Sequence, residues 1–336
     1  MNILDIAAAA GVSSATVSRV LNNGKVSPEL KSKVEATIRA MNYLPNNLAR
    51  SLITGKSMNI GVLTHSLSNS YAGEFVDAVG ERLRELNYRQ FVASASSVGA
   101  SEEEAKYVSS FLSQKVDGII MHDLSEENYS SGFFLEVSRR VPLVIVHSFV
   151  DGTAEINSVI LDQVLGMRRV MDHLLGLGHR KIWFVRSAGY SQDQKERVWR
   201  EEMTALGCPP GPDDLIYIPD GDNEKGVHEA TEAVAARLQA LGPPTAIFAC
   251  NDIQGVGTQA ALRQHGLRIP DDVSLVAHDN TILAEVAQIS SVDMKRSSVG
   301  HATVDLLMSI VQGKDKEIRR VYLTPDIVHR GSTRKL

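Results

Sequence analysis

The sequence predicts a mixed α/β chain, with an all-α head followed by a body of parallel sheets wound on both faces with helices. Three observations carry this prediction. The first 45 residues break into three helical runs separated by Gly11 and by Asn23-Gly24. From Ile60 onward, short β-branched apolar runs alternate with helical stretches. The charge is also uneven. Residues 1–57 hold seven basic and three acidic groups, a net of +4, on a chain whose total is −5.

In the head, Ile3 to Ala10 is an alanine-rich helical run, and Gly11 suits a stop that needs positive φ. Ser13 offers an N-cap for a second helix reaching about Asn22. Ser27-Pro28-Glu29 starts the third with a cap, a proline at the first helical position and an acid in the first turn. That helix runs to about Met41. Two helices joined by a tight glycine turn make a helix-turn-helix. Pro45 then breaks the chain. Residues 46–52 have length for one or two helical turns, too short to persist alone, and Thr54-Gly55-Lys56-Ser57 reads as a linker.

In the body the expected strands are Ile60–Leu63, Gln90–Ala93, Gly118–Met121, Leu143–Val146, Ser158–Leu161, Lys181–Val185, Leu215–Ile218, Ala246–Ala249 and Ser274–Ala277. Helices of about 12 to 18 residues fit between most of them, the pattern of parallel sheets with helices on both faces. Nine or more strands over about 270 residues divide better into two doubly wound lobes than into one sheet.

Composition narrows the function. With 43% hydrophobic and 22% charged residues the chain reads as globular. No apolar run reaches the roughly 18 to 20 residues that cross a membrane, and no secretory leader is evident, so a cytoplasmic protein is expected. Cys208 and Cys250 have no CxxC partner, which leaves neither a zinc site nor a disulfide framework to expect. There is no GxSxG elbow, P-loop or HExxH. Asn251-Asp252 after Cys250, and the pair His179 and Asp162, are therefore not read as catalytic, and neither enzyme nor cofactor is expected. A basic head on an acidic body fits a protein whose head alone meets phosphate.

The second helix carries the chemistry for that contact. Ser14, Ala15, Ser18, Arg19 and Asn22 share one face, while Val17, Val20 and Leu21 share the other. A helix entering the major groove needs small residues near the duplex and a long donor for base edges. Arg19 suits guanine O6 and N7, and Ser18 and Asn22 suit phosphate or base. The competing reading is a solvated amphipathic helix in which Arg19 has no such task.

These features resemble the LacI/GalR family of bacterial repressors. The resemblance rests on Asp5-Ile6-Ala7, Ala10-Gly11-Val12-Ser13 and Thr16-Val17-Ser18-Arg19-Val20-Leu21-Asn22. It continues through Tyr43-Leu44-Pro45-Asn46, Ala49-Arg50-Ser51-Leu52 and Gln114-Lys115-Val116-Asp117-Gly118-Ile119-Ile120. Leu177-Gly178-His179-Arg180-Lys181-Ile182, Phe248-Ala249-Cys250-Asn251-Asp252 and Gly266 through Ser274 complete it. It covers essentially the whole chain. It implies a transcription regulator, repression being the family habit, with Ser14, Ala15, Thr16, Ser18, Arg19 and Asn22 facing a palindromic operator. Ala15 offers no hydrogen bond and suits a thymine methyl. Ala49 and Leu52 match a hinge helix that wedges the minor groove, where unstacking a step costs about a few kcal/mol.

The resemblance further implies a body like the sugar-binding periplasmic proteins, with crossings near 160–163, 290–294 and 322–325. The units would be 1–45, the hinge 46–57, a first lobe of 58–161 with 293–322, and a second of 162–292 with 323–336. Tyr71 in the first lobe, Arg197 and Asn251 in the second, and Asp279 in the Ala277-His278-Asp279-Asn280 turn match the family's effector site. Guanidinium, amide and carboxylate can each make paired hydrogen bonds, which suits a carbohydrate first and a nucleobase or nucleoside second. Phe149, His147 and Ser148 are lesser candidates, and Asp162 reads as structural. Three stretches depart from the family pattern: Asp220-Gly221-Asp222-Asn223, two residues short and without an aromatic; Tyr71-Ala72; and Asp162-Gln163-Val164. A homodimer is expected, matching a two-fold operator, because no leucine heptad precedes the terminal Gly331 to Leu336. A solute-binding protein would share the body, but the basic head argues against it.

Overall fold

The computed structural model describes the chain apart from residues 1, 22–23, 43–54, 68–69, 96–99, 123, 148–154, 220, 222 and 316. The head and the body form separate compact units, Met1–Met58 and Asn59–Leu336.

The head contains α1 (Ile3–Ala10), α2 (Ser14–Leu21) and α3 (Pro28–Ala40). Each begins on a side chain that satisfies backbone donors left open at a helix start. Asn2 Oδ1 accepts from the Leu4 amide at 2.8 Å, and Asp5 Oδ2 accepts from the Asn2 amide at 2.7 Å, a reciprocal capping box. Ser13 Oγ accepts from the Thr16 amide at 3.1 Å, and Ser27 Oγ from the Leu30 amide at 3.4 Å. Gly11 closes α1 at φ 58°, where a Cβ would be strained. Ile6, Ala7, Ala10, Val17, Val20 and Val34 make one small core, which fixes the face that α2 leaves outward.

The body holds two six-stranded sheets. The first contains β1 (Asn59–Thr64), β2 (Arg89–Ser94), β3 (Gly118–His122), β4 (Leu143–His147) and β5 (Ser158–Leu161). The second contains β6 (Ile182–Arg186), β7 (Leu215–Tyr217), β8 (Ala246–Ala249), β9 (Ser274–Asp279) and β10 (Ser290–Asp293). β11 (Arg320–Leu323) then returns to the first sheet and β12 (Asp326–Val328) to the second. The orders are β11-β5-β4-β3-β1-β2 and β12-β10-β9-β8-β6-β7. All pairings are parallel except that of β10 with β12.

Both sheets follow the same winding, reversing direction between β1 and β3 and between β6 and β8. In such sheets the crevice beyond the strands' carboxyl ends, at the reversal, is where ligands bind. Each sheet has its own apolar core. One is built around Leu63, Ile119, Met121 and Ile145, the other around Trp183, Val185, Ile247 and Leu275. The chain passes from the first sheet to the second after β5, returns after β10, and passes over again between β11 and β12. The helix Arg296–Val311, which follows β10, packs on the helix Ser70–Glu85. There Gly300 permits close approach, since a Cβ would lie 2.7 Å from Ala78 Cβ.

The nine expected strands are all present, with small differences at their ends. Three were not foreseen. β10 reads Ser-Ser-Val-Asp, without apolar alternation, yet Ser290 and Ser291 are fully buried. Their hydrogen bonds make this tolerable. Ser290 N donates to Ser332 Oγ at 2.8 Å, and Ser291 Oγ donates to Asp252 Oδ1 at 2.6 Å. β11 and β12 are short and half-exposed, so they carry little hydrophobic signal. Among the described residues, no single helix is long and apolar enough to cross a membrane.

Candidate DNA-contacting face and effector site

On α2, Val17 and Val20 turn into the head core, while Ala15 and Arg19 are exposed and Ser14, Thr16 and Ser18 are half-buried. Ser14, Ala15, Ser18 and Arg19 thus share a solvent-facing side, as the helical spacing requires, and Thr16 lies at its edge. The Thr16 hydroxyl lies 2.9 Å from Ser13 Oγ, so it also stabilises the start of α2. The Gly24 amide donates to the Arg19 carbonyl at 2.7 Å, folding the turn back on the backbone of Arg19 and not on its guanidinium. Asn22, Ala49 and Leu52 lie outside the described residues, as do Ser148 and Phe149.

The effector-site candidates gather where the strands of the body end. β8 stops at Ala249 and leads through Cys250 into Asn251, which caps the helix Asp252–Gln264. Asn251 Oδ1 accepts from the Gln254 amide at 2.9 Å and Nδ2 donates to the Gly221 carbonyl at 3.0 Å. Asp279 ends β9 at φ 104°, a backbone conformation that side chains other than glycine's seldom adopt. Its Oδ1 is 2.9 Å from His278 Nδ1. From the other sheet, Tyr71 stands near the start of the helix Ser70–Glu85, with its ring 5.6 Å from that of His122 at the end of β3. Phe75, one turn on, stacks on the same imidazole at 4.3 Å.

Arg197 is not in this gathering. Its side chain is 60% exposed and reaches only Glu201, 3.9 Å away on the same helix, Tyr190–Ala205. The buried residues of that helix are Gln192, Lys195, Val198, Trp199 and Met203, so position 197 faces water and position 195 faces inward. Two residues along a helix turn a side chain through about 200°. Lys195, on the inward face, is the basic residue of this helix that reaches the ends of β8 and β9. Its Nζ donates to the Cys250 carbonyl at 3.0 Å and lies 3.3 Å from His278 Nδ1. Asp162 caps the helix Gln163–Gly176, accepting from the Leu165 amide at 2.9 Å, the structural task expected of it.

Beneath the site lies a polar floor that the sequence did not disclose. Asp252 is 1% exposed, accepts from Ser291 Oγ at 2.6 Å, and accepts from both the amide and the hydroxyl of Thr281 at 2.5 and 2.8 Å. Burial, and then the charge of Asp279, push its carboxyl up to about 7, while the bonds from Ser291 and Thr281 hold it down. His278, fully buried beside Lys195, is held well below its ordinary value, first by burial and then by that ammonium. Gly221 packs so closely that a Cβ would lie 2.3 Å from Gln254 Nε2 and 2.6 Å from Ser187 Oγ. Gly221, within the stretch that departs from the family pattern, thus lies close against Gln254 and Ser187. Lys195 was discoverable from the inward stripe 192, 195, 199, 203. The Asp252 network had no sequence signal, because its partners, Thr281 and Ser291, lie on two segments far along the chain.

A three-helix head with an outward polar helix, joined to a two-sheet body whose strand ends gather polar residues, defines a ligand-responsive DNA-binding regulator. The chain belongs to the lacI family of bacterial regulatory proteins. The sequence model described as "Bacterial regulatory proteins, lacI family" matches residues 2–46, and that of a periplasmic binding protein-like domain matches 171–333. The transcriptional regulator DegA of Bacillus subtilis is 34% identical, over 99% of this chain and 98% of its own. The repressor PurR of Aliivibrio salmonicida is 28% identical over 99% of both chains. A lac repressor dimer bound to operator and the anti-inducer ONPF superposes with a TM-score of 0.83 at 27% identity, covering 99% of each chain. The relatives are regulators, and the fold and family expected from the sequence hold.

Proposed function

We propose that this regulator binds a palindromic operator as a homodimer and that a small molecule held between the two lobes controls that binding. The single observation that carries the reading is the polar, outward face of α2, with Arg19 exposed and Val17 and Val20 buried behind it. Ser14, Ala15, Thr16, Ser18, Arg19 and Asn22 read the major groove, and Ala49 and Leu52 enter the minor groove from the hinge. The working units are 1–45, 46–57, 58–161 with 293–322, and 162–292 with 323–336. The protein acts in the cytoplasm, without enzymatic activity.

Tyr71, Lys195, Asn251 and Asp279 are the effector contacts. An ammonium, an amide and a carboxylate suit a hydroxyl-rich ligand, so a sugar or sugar derivative is the first class. A nucleobase or nucleoside is the second class. A cellobiose complex of the regulator CelR shares the fold. A ligand with tenfold preference for one lobe arrangement shifts the balance by about 1.4 kcal/mol. A shift of that size is enough to alter operator affinity.

The test is a fluorescence-anisotropy titration of DNA selected in vitro by the full-length protein. Arg19→Ala is expected to lose about 1–3 kcal/mol of binding and to relax preference at one base pair. Equal affinity of the variant and the parent for the selected site would remove Arg19 from the reading.

A further inference from the structure

We propose that Arg296 is a positioning residue that ties the effector turn to the opposite lobe and so sets the lobe arrangement the operator responds to. The inference rests on the effector-controlled reading above. Arg296 begins the helix Arg296–Val311, which packs against the helix Ser70–Glu85 of the first sheet. Its Nη1 donates to the carbonyl oxygen of Asp279, at the end of β9 in the second sheet. Its Nε lies 2.6 Å from Glu74 Oε2. Glu74 is one helical turn beyond Tyr71. A single guanidinium, 15% exposed, thus connects the helix bearing Tyr71 to the turn bearing Asp279.

The turn it holds is strained. Asp279 sits at φ 104° and Asn280 at φ 53°. Conformations of this kind persist only when their surroundings impose them. Three of the groups that impose it belong to the second lobe: Ser291 Oγ accepts from the Asn280 amide at 3.0 Å, Arg330 Nη2 reaches Asn280 Oδ1 at 2.5 Å, and Asp252 takes the Thr281 amide. Arg296 adds a further hold on the Asp279 carbonyl, and its helix packs on the first lobe. Reorienting the lobes must therefore lengthen the bond to the Asp279 carbonyl or drag the turn with it. Conversely, a ligand that engages Asp279 or Tyr71 acts on one end of the same bridge. Glu74 offsets the guanidinium's charge at ion-pair distance, so the two residues act as one unit.

The experiment uses the full-length protein without any ligand and the DNA palindrome it selects in vitro. Arg296→Ala, Glu74→Ala, the double variant and Arg296→Lys are compared for operator affinity, and amide hydrogen exchange is followed through residues 278–281. Each alanine variant is expected to change operator affinity by about threefold or more in the same direction, the double variant no more than either alone. Exchange at the turn should quicken, and Arg296→Lys should recover part of both effects. Wild-type operator affinity in Arg296→Ala with only a lowered melting temperature would reduce Arg296 to a stabilising residue and overturn the proposal. So would unchanged exchange at the turn, or additive effects of the two alanines. Failure of the parent protein to select any DNA would instead overturn the regulator reading itself.

Discussion

At the residue scale, the account turns on which way a few side chains face. The caps were legible because Ser13, Ser27 and Gly11 answer local backbone needs that sequence alone exposes. Motif matching by residue type points to Arg197, whereas helix phase turns Lys195 inward, two positions moving a side chain to the opposite face. The contrast is testable. Arg197→Ala, on the solvent face, is expected to leave stability within about 0.5 kcal/mol and ligand affinity unchanged. Lys195→Met removes a charge-assisted donor and should weaken the ligand found by screening by about 10- to 100-fold in isothermal titration. Equal losses in both variants would return the site to Arg197. Asp252 gives a pH signature. Its folded value of about 7 lies above the ordinary 3.8, so between those limits the folded chain keeps a proton that the unfolded chain has lost. Its contribution to stability therefore falls as pH rises from about 4 to 7 and is level beyond. Chemical denaturation across that range should show this slope in the parent and not in Asp252→Asn; identical slopes would mean that Asp252 is ionised throughout.

At the element scale, nine strands were legible because β-branched runs such as Ile60–Leu63 and Leu143–Val146 lie buried in parallel sheets, where both faces are covered. β10, β11 and β12 were not, since their places depend on partners far along the chain. Ser290 and Ser291 are buried only because Ser332 and Asp252 meet them. The helix pair Glu224–Leu241 and Asp252–Gln264 depends on a similar long-range fit. A Cβ on Gly257 would lie 2.4 Å from the Val227 carbonyl and 2.7 Å from Ala230 Cβ. Backbone cannot give way cheaply there, so Gly257→Ala is expected to cost about 1–3 kcal/mol in denaturant unfolding. A neutral result would show that the two helices pack with slack. Because Asp252 and Asn251 open the second of these helices, the same substitution should also weaken effector binding.

At the scale of the whole molecule, the division of labour was legible in charge and periodicity: +4 on residues 1–57 against −5 for the chain, and a change of pattern at Ile60. Two compact units divide within a residue or two of that point, at Met58 and Asn59. The repeated winding of the two sheets was only partly legible, because neither half repeats the other's sequence. Their orders match through topology alone. The identity of the effector was not legible, since the residues that define its site come from both sheets and from turns whose geometry is set by the fold. The central claim is that this chain reads DNA as a two-fold symmetric regulator. The most direct measurement is selection of random duplex DNA by the full-length protein, followed by sequencing of the bound pool. The account predicts enrichment of an inverted repeat, lost or degenerate when Arg19→Ala is used. A pool with no enriched sequence, or an enriched site without two-fold symmetry, would contradict it.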